Sequence, residues 1–311
     1  MKAKDSLKQF FGIKTEEKLQ RGKEKPGNKI KDLVKNLLFA LIGALIIKTF
    51  FLESSRVPTG SMEGTVLVGD FVLVNKVIYG SSTPRNIPFT NISLPFYTFP
   101  AYREPQRGEV VVFDYPGNSD ELNSPVIWSY VKRLIGLPGD TVQIKDKVLF
   151  VNGKEYRRPP HIQYVDPGTR LAGINDTDIF PQGAPWNRDN YGPLTVPKKG
   201  DVIKLNSANI EQWRTIIDRE FSARVVNVSD GQITISGKPV SSYTLKKDYY
   251  FMMGDNRDNS ADSRYWGFVP RDKIIGRAEI IYWSWDPSIP FYELFNLLGS
   301  VRLGRIARLI E

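Results

Sequence analysis

The chain has 311 residues, with 43 lysines and arginines against 34 acidic residues, 41% hydrophobic content, one histidine and no cysteine. That length suits one large or two modest domains with a sizeable core. The counts exclude a disulfide-stapled fold, a cysteine nucleophile and a His/Cys metal cluster, and they leave a Ser-His-Asp site only His161, which follows Pro159 and Pro160 in a proline-bounded loop.

The formal charge of +9 is concentrated at the N-terminus, in Lys2, Lys4, Lys8, Lys14, Lys18, Arg21, Lys23, Lys25, Lys29, Lys31 and Lys35. That placement speaks for orientation in a membrane rather than for nucleic acid. Residues 33–52 follow, uncharged from Leu37 to Ile47 and flanked by Lys35 and Lys48. As a helix these residues cover roughly 30 Å, the thickness of a bilayer core, with the lysines snorkelling to the interfaces. The charged region ahead is too long for a cleaved secretory signal and no small-x-small site follows, so 33–52 reads as an uncleaved anchor behind a cytoplasmic basic tail, 1–32. Everything after Leu52 is then extracytoplasmic, on a single-pass protein of a bacterial plasma (inner) membrane. The lack of cysteine suits an oxidising compartment.

Next comes Pro58-Thr59-Gly60-Ser61-Met62, a turn signal, and then strand signals at 71–74, 109–113, 141–144 and 148–151, the last before an Asn152-Gly153 turn. Between the first two lies an irregular segment, 79–105, with Pro84, Pro88, Pro95, Pro100 and Pro105 among Phe89, Phe96, Tyr97, Phe99 and Tyr102; it either folds back on the core or faces lipid. Lys132 sits on a strand-like stretch, with Val126, Ile127 and Trp128 before it and Val131, Leu134 and Ile135 around it. Residues 152–240 read as an inserted α+β subdomain: a proline- and glycine-rich loop over 157–197, strands at 202–205, 224–228 and 232–235, and a helix over 208–220 capped by Ser207, with Ile210, Trp213 and Ile217 on one face. Strands at 249–253 and 274–285 complete a mainly β, antiparallel domain made of 53–151 and 241–286. Residues 287–311 form an amphipathic segment, with Arg302, Arg305 and Arg308 every third residue along an interfacial or ordinary terminal helix.

The chemistry within reach is serine with a lysine base. An ordinary lysine, pKa about 10.4, is less than roughly a tenth of a per cent neutral at pH 7, so a working base needs a depression worth about 4 kcal/mol. Burial supplies such a shift, and the surroundings of Lys132 are apolar. An oxyanion formed by attack of Ser61 would meet the Ser61 amide and the Thr59 hydroxyl, in a turn that Gly60 makes cheap. A third segment, Gly254-Asp255-Asn256-Arg257-Asp258-Asn259-Ser260-Ala261-Asp262-Ser263-Arg264, is a polar loop in which Ser260 or Ser263 would orient the amine while Asp262 and Arg264 pair. Its residues do not have the calcium spacing of an EF-hand.

Together, the Pro58–Met62 motif, the run Lys132-Arg133-Leu134-Ile135-Gly136-Leu137-Pro138-Gly139-Asp140 and the 254–264 loop resemble the conserved boxes of bacterial type I signal peptidases. The resemblance covers roughly 55–76, 108–144 and 249–277. It implies Ser61 as nucleophile, Lys132 as general base, Thr59 and the Ser61 amide as oxyanion hole, Ser260 as the group that orients the amine, and Asp262 with Arg264 as a supporting pair. It implies pockets for small residues lined by Val57, Met62, Tyr130 and Val131, an apolar surface resting on the membrane, and no metal or organic cofactor. The partners implied are preprotein signal peptides with small residues before the cut, the lipid bilayer and the secretion translocon, with no nucleic acid. Two departures stand out: Gly64 where proline is common, and Thr59 where serine is also common. Competing readings are a non-enzymatic membrane-tethered domain binding extended exported chains, and a Ser-Lys protease acting on itself.

Overall fold

The computed structural model describes residues 26–81, 97, 99–122, 124 and 128–311, the first five by backbone alone. The basic tail up to residue 25, most of the aromatic proline-rich segment, and Val126 and Ile127 lie outside the described residues. Two compact units are present, Met1–Ile47 and Lys48–Glu311. Helix α1 runs Pro26–Phe50, beginning ahead of the expected 33–52 span, with proline tolerated in a first turn that needs no amide donor. Its stretch Lys31–Phe50 has a mean hydropathy of 1.9 and is long and apolar enough to cross a membrane. Leu52, expected to close that span, instead opens a strand because it pairs with Asn75.

The second unit is mainly antiparallel β. In chain order its strands are β1 (Leu52–Arg56), β2 (Asp70–Asn75), β3 (Val110–Asp114), β4 (Ser129–Gly136), β5 (Thr141–Lys145), β6 (Val148–Val151), β7 (Lys154–Glu155) and β8 (Tyr191–Thr195). They continue with β9 (Val202–Lys204), β10 (Val226–Ser229), β11 (Gln232–Ile235), β12 (Lys238–Pro239), β13 (Ser242–Thr244), β14 (Tyr249–Met253), β15 (Val269–Pro270), β16 (Ile274–Ser284) and β17 (Arg308–Leu309). Strands β1, β2, β16, β3, β4, β14 and β15 lie side by side in that order, with β17 paired to β16. Strand β3 is apolar without alternation because both its faces are covered. Val110 and Val112 pack with Val72, Val74 and Ala278, while Val111 and Phe113 pack with Tyr250, Met252 and Trp266.

A second group of strands forms a sheet in the order β7, β6, β5, β8, beside a β10–β12 sheet and a β9–β13 pair. Expected to begin at residue 152, this inserted part begins earlier: β5 and β6 pair with β8 and β7, not with the main sheet. The Asn152-Gly153 signal is a turn inside that sheet, with both residues at positive φ, rather than a domain boundary. Strand β8 lies in the stretch expected to be an unstructured loop, its Gly192 and Pro193 accommodated where the pairing with β5 is irregular. Helix α2, Ile210–Phe221, buries Ile210, Trp213, Ile216 and Ile217. Ser207 does not cap it; Asn206 Oδ1 accepts the Ala208 and Asn209 amides at 2.9 and 3.1 Å.

No long terminal helix forms over 287–311. Only Leu294–Gly299 is helical, and the chain then turns at Leu303–Arg305 into β17. The reason is that the arginines are spent inward. Arg302 bonds the Val68 carbonyl at 2.9 Å, and Arg305 pairs with buried Asp70 at 2.6 Å.

Candidate active site

Strand β4 carries Lys132 between Val131 and Arg133, and side chains alternate across a strand, so Lys132 and Arg133 enter opposite faces. Strand β3 on one side and β14 on the other bury both, leaving Lys132 3% exposed. Ser61 is the middle residue of a 3₁₀ turn, Gly60–Met62, whose leading amides have no acceptor within the turn. The lysine Nζ lies 2.5 Å from the Ser61 Oγ. Burial lowers the Lys132 pKa to about 8, the charges of Asp262 and Asp255 opposing that shift and Arg264 adding to it.

The 254–264 loop packs directly over the turn. The Asn256 amide donates to the Ser61 carbonyl at 3.1 Å, and Asn256 Nδ2 donates to the Gly60 carbonyl at 3.2 Å. Glycine at 254 is what permits this approach, since a Cβ there would lie 2.4 Å from the Ser61 carbonyl and 2.2 Å from Ser260 Oγ. Asp262 caps helix α3, Ser263–Trp266, and accepts from Arg264 Nε and Nη2, each at 2.8 Å, and from the Gly254 amide at 3.1 Å. Burial works to raise the Asp262 pKa, but the Arg264 charge and these hydrogen bonds outweigh it and hold the carboxyl low.

The expected pairing of Asp262 with Arg264 is therefore present as geometry. The expected contact of Ser260 with the amine is not among the hydrogen bonds formed: Ser260 Oγ is buried, tucked against Gly254, and has no partner. Ser263 Oγ accepts the Met252 amide at 2.9 Å, which ties the loop to β14. His161 presents its carbonyl, not a bond to Ser61, beside Gly64. Gly64 has φ +99° and its Cβ position falls 2.2 Å from that carbonyl, so this chain needs glycine where proline's fixed φ would not fit. Gly60 makes its turn without a positive φ.

Val57, Thr59, Ser61, Met62, Tyr130, Val131 and Lys132 line one cleft of about 520 Å³, so the expected nucleophile, the expected base and all four expected pocket residues come together. Pro58, Trp128, Ser129, Asn259 and Ala261 line it as well. Sequence reasoning missed the pair beneath it: Arg133 grips Asp255 through Nε and Nη2 at 2.8 and 2.6 Å, and Thr65 donates to the same carboxylate at 2.5 Å. The signal was available, since a cation on the second buried face of β4 requires a carboxylate, and Asp255 opens the polar loop.

Residues 30–283 match the family model described as "Signal peptidase, peptidase S26". The chain belongs to that family. A signal peptidase I from Buchnera aphidicola subsp. Schizaphis graminum is 34% identical over 78% of this chain and 71% of its own. One from Rickettsia typhi is 31% identical over 93% and 97%, and one from Pseudomonas aeruginosa is 32% identical over 86% and 78%. A solved signal peptidase I from Enterococcus faecalis V583 is 22% identical over 56% of this chain and 97% of its own, at a TM-score of 0.25, a likeness too distant to bear on the fold. Membership in the signal peptidase family makes the protein a serine peptidase of type I signal peptidase kind.

Proposed function

We propose that the protein is anchored in a bacterial inner membrane by α1, with its N-terminus cytoplasmic and its β unit outside, and removes signal peptides from exported preproteins. Ser61 is the nucleophile and Lys132 the base. The observation that carries this reading is the 2.5 Å contact between the Ser61 hydroxyl and a buried amine whose pKa is lowered to about 8. Such an amine is roughly a tenth neutral at pH 7, against less than about a thousandth for an ordinary lysine, and its neutral form accepts the hydroxyl proton as Ser61 attacks. The developing oxyanion is met by the Ser61 amide and the Thr59 hydroxyl, both on the cleft. The protonated amine then donates to the departing amine, an acyl-enzyme is left on Ser61, and Lys132 activates the water that hydrolyses it. Ser260, whose buried hydroxyl has no hydrogen-bond partner and so is free to take one, orients the amine in this reading, and Asp262 with Arg264 fixes the loop that carries it.

Val57, Met62, Tyr130 and Val131 leave room for small side chains before the cut, and the preprotein lies extended beside them. The bilayer holds enzyme and signal peptide together and raises their local concentration, and the secretion translocon delivers the preprotein. Ser61→Ala and Lys132→Ala are each expected to reduce cleavage of an Ala-x-Ala preprotein by about 10⁴-fold or more while leaving membrane insertion intact, as for other residues that act as one catalytic unit. Wild-type turnover in either variant refutes the assignment; peptide binding by the parent with no cleaved product identifies a binding domain instead.

A further inference from the structure

The polar layer behind Ser61 contains buried Arg133, Arg257 and Arg264 with buried Asp255 and Asp262, while the largely buried carboxylate of Asp258 faces Arg188 at 3.6 Å. Arg133 takes Asp255 and Arg264 takes Asp262. Arg257 is left over. It is 3% exposed, its Nε has no hydrogen-bond partner, and among the described residues its guanidinium makes no ion pair and lies over no aromatic ring. A buried cation that cannot shed its proton is unfavourable without a counter-charge. Its backbone is held firmly, the amide donating to the Gln163 carbonyl at 3.0 Å and the carbonyl accepting from Arg264 Nη2 at 2.7 Å.

Arg257 forms part of the wall of a cavity of about 460 Å³, on the insert side of the loop, together with Tyr156, Arg158 and Lys147. Arg158, an exposed residue stacked over Tyr164, donates to the Ile162 carbonyl at 2.6 Å through one nitrogen and keeps its other donors, and Lys147 bonds the Asp166 carbonyl at 2.7 Å and pairs with Asp189 at 4.0 Å. Carboxylates are present too, but Asp146, Glu155 and Asp166 belong to exposed residues, and Asp166 is already paired with Arg188 at 2.7 Å. The rim thus repels an extended polyanion, while the deep positive group remains open to a compact one.

We propose that this cavity binds a small tetrahedral oxyanion of the phosphate class, with Arg257 as its main ligand and Arg158 and Tyr156 contacting the remaining oxygens. A carboxylate would be used up by the two-pronged grip of one guanidinium; a phosphate keeps oxygens for the other donors. The bound anion braces the 254–264 loop from the side opposite Ser61, which goes beyond the cleavage chemistry and does not depend on it.

The test uses the full chain in phospholipid-free, phosphate-free detergent, titrated calorimetrically with inorganic phosphate against potassium chloride of matched ionic strength. Saturable binding of phosphate alone, with a rise in Tm, is expected, and Arg257→Gln should weaken it by at least about tenfold, the loss of a charged hydrogen-bonding group. No phosphate-specific heat in the parent, or equal affinity in Arg257→Gln, overturns the proposal. Should Arg257→Gln fail to fold, the double variant Arg158→Gln/Tyr156→Phe takes its place: weakened binding supports the site and unchanged affinity overturns it. Once binding is seen, the parent in phosphatidylglycerol bilayers separates the sources, because lost affinity for added phosphate assigns a lipid headgroup and retained affinity assigns the free ion.

Discussion

Lys132 and Arg133 are consecutive residues of β4, 3% and 2% exposed, and the fold treats them in opposite ways. Arg133 cannot lose its proton, so its face of the strand provides Asp255, Thr65 and the Gly108 carbonyl. Lys132 can lose its proton, so its face provides a hydroxyl and apolar walls, and proton affinity falls instead. On β4, then, one buried cation is matched by a carboxylate and the other has its proton affinity lowered, and only the second condition suits the proposed base.

Exchanging the two solutions breaks the contrast most severely. Lys132→Arg places a permanent charge where no carboxylate is provided, and preprotein cleavage is expected to fall by about 10⁴-fold or more, with a lowered Tm. Retained cleavage would show that neutrality at this position is not needed. Next in size is Asp255→Asn, which strands Arg133 without its counter-charge and is expected to cost about 3–5 kcal/mol by denaturant unfolding. A loss below about 1 kcal/mol, the worth of a surface pair, would mean that solvent reaches the pair after all.

Lys132→Met probes the opposite side of the contrast. An amine with a folded pKa of about 8 against an ordinary 10.5 binds its proton more tightly in the unfolded chain. Stability therefore rises with pH between these values, and at pH 7 the folded state carries a cost of about 3 kcal/mol, as 1.36 kcal/mol accompanies each pKa step. Removing the amine should raise stability by about that much at pH 7, with the gain shrinking from pH 8 to 10.5 and cleavage lost. A variant less stable than its parent at pH 7 would show that the amine is not held at a cost.

The strands were legible because β-branched and aromatic runs announce them, and Val110–Asp114 and Tyr249–Met253 fall close to their expected places. The meeting of Ser61 with Lys132 at 2.5 Å was expected only from the conjunction of their two motifs, since either alone reads as a turn or a surface residue. What escaped depends on partners distant in the chain. Arg302 and Arg305 looked like one face of a helix, and only their meeting with Val68 and Asp70 shows why no such helix forms. The insert boundary was misplaced because an Asn-Gly turn marks a hairpin and does not say which sheet the hairpin joins. Only the resemblance chose Ser260 over Ser263, and its hydroxyl packs against Gly254 without a hydrogen-bond partner.

The mildest perturbation tests the field around the amine. Asp262 is the chief charge acting to raise the Lys132 pKa against desolvation, and Arg264 acts to lower it. In Asp262→Asn the first influence disappears while the second remains, so the acid limb of the pH–rate profile should move below about 8, toward lower pH. The plateau should drop as well, because the Gly254 amide and both Arg264 nitrogens lose a charged acceptor and the loop over Ser61 is held less firmly. The two effects separate in one experiment, since the limb reports the charge and the plateau reports the position. A lower plateau with an unmoved limb would make Asp262 a structural anchor only, and a limb displaced upward would mean that Lys132 is not the group titrating.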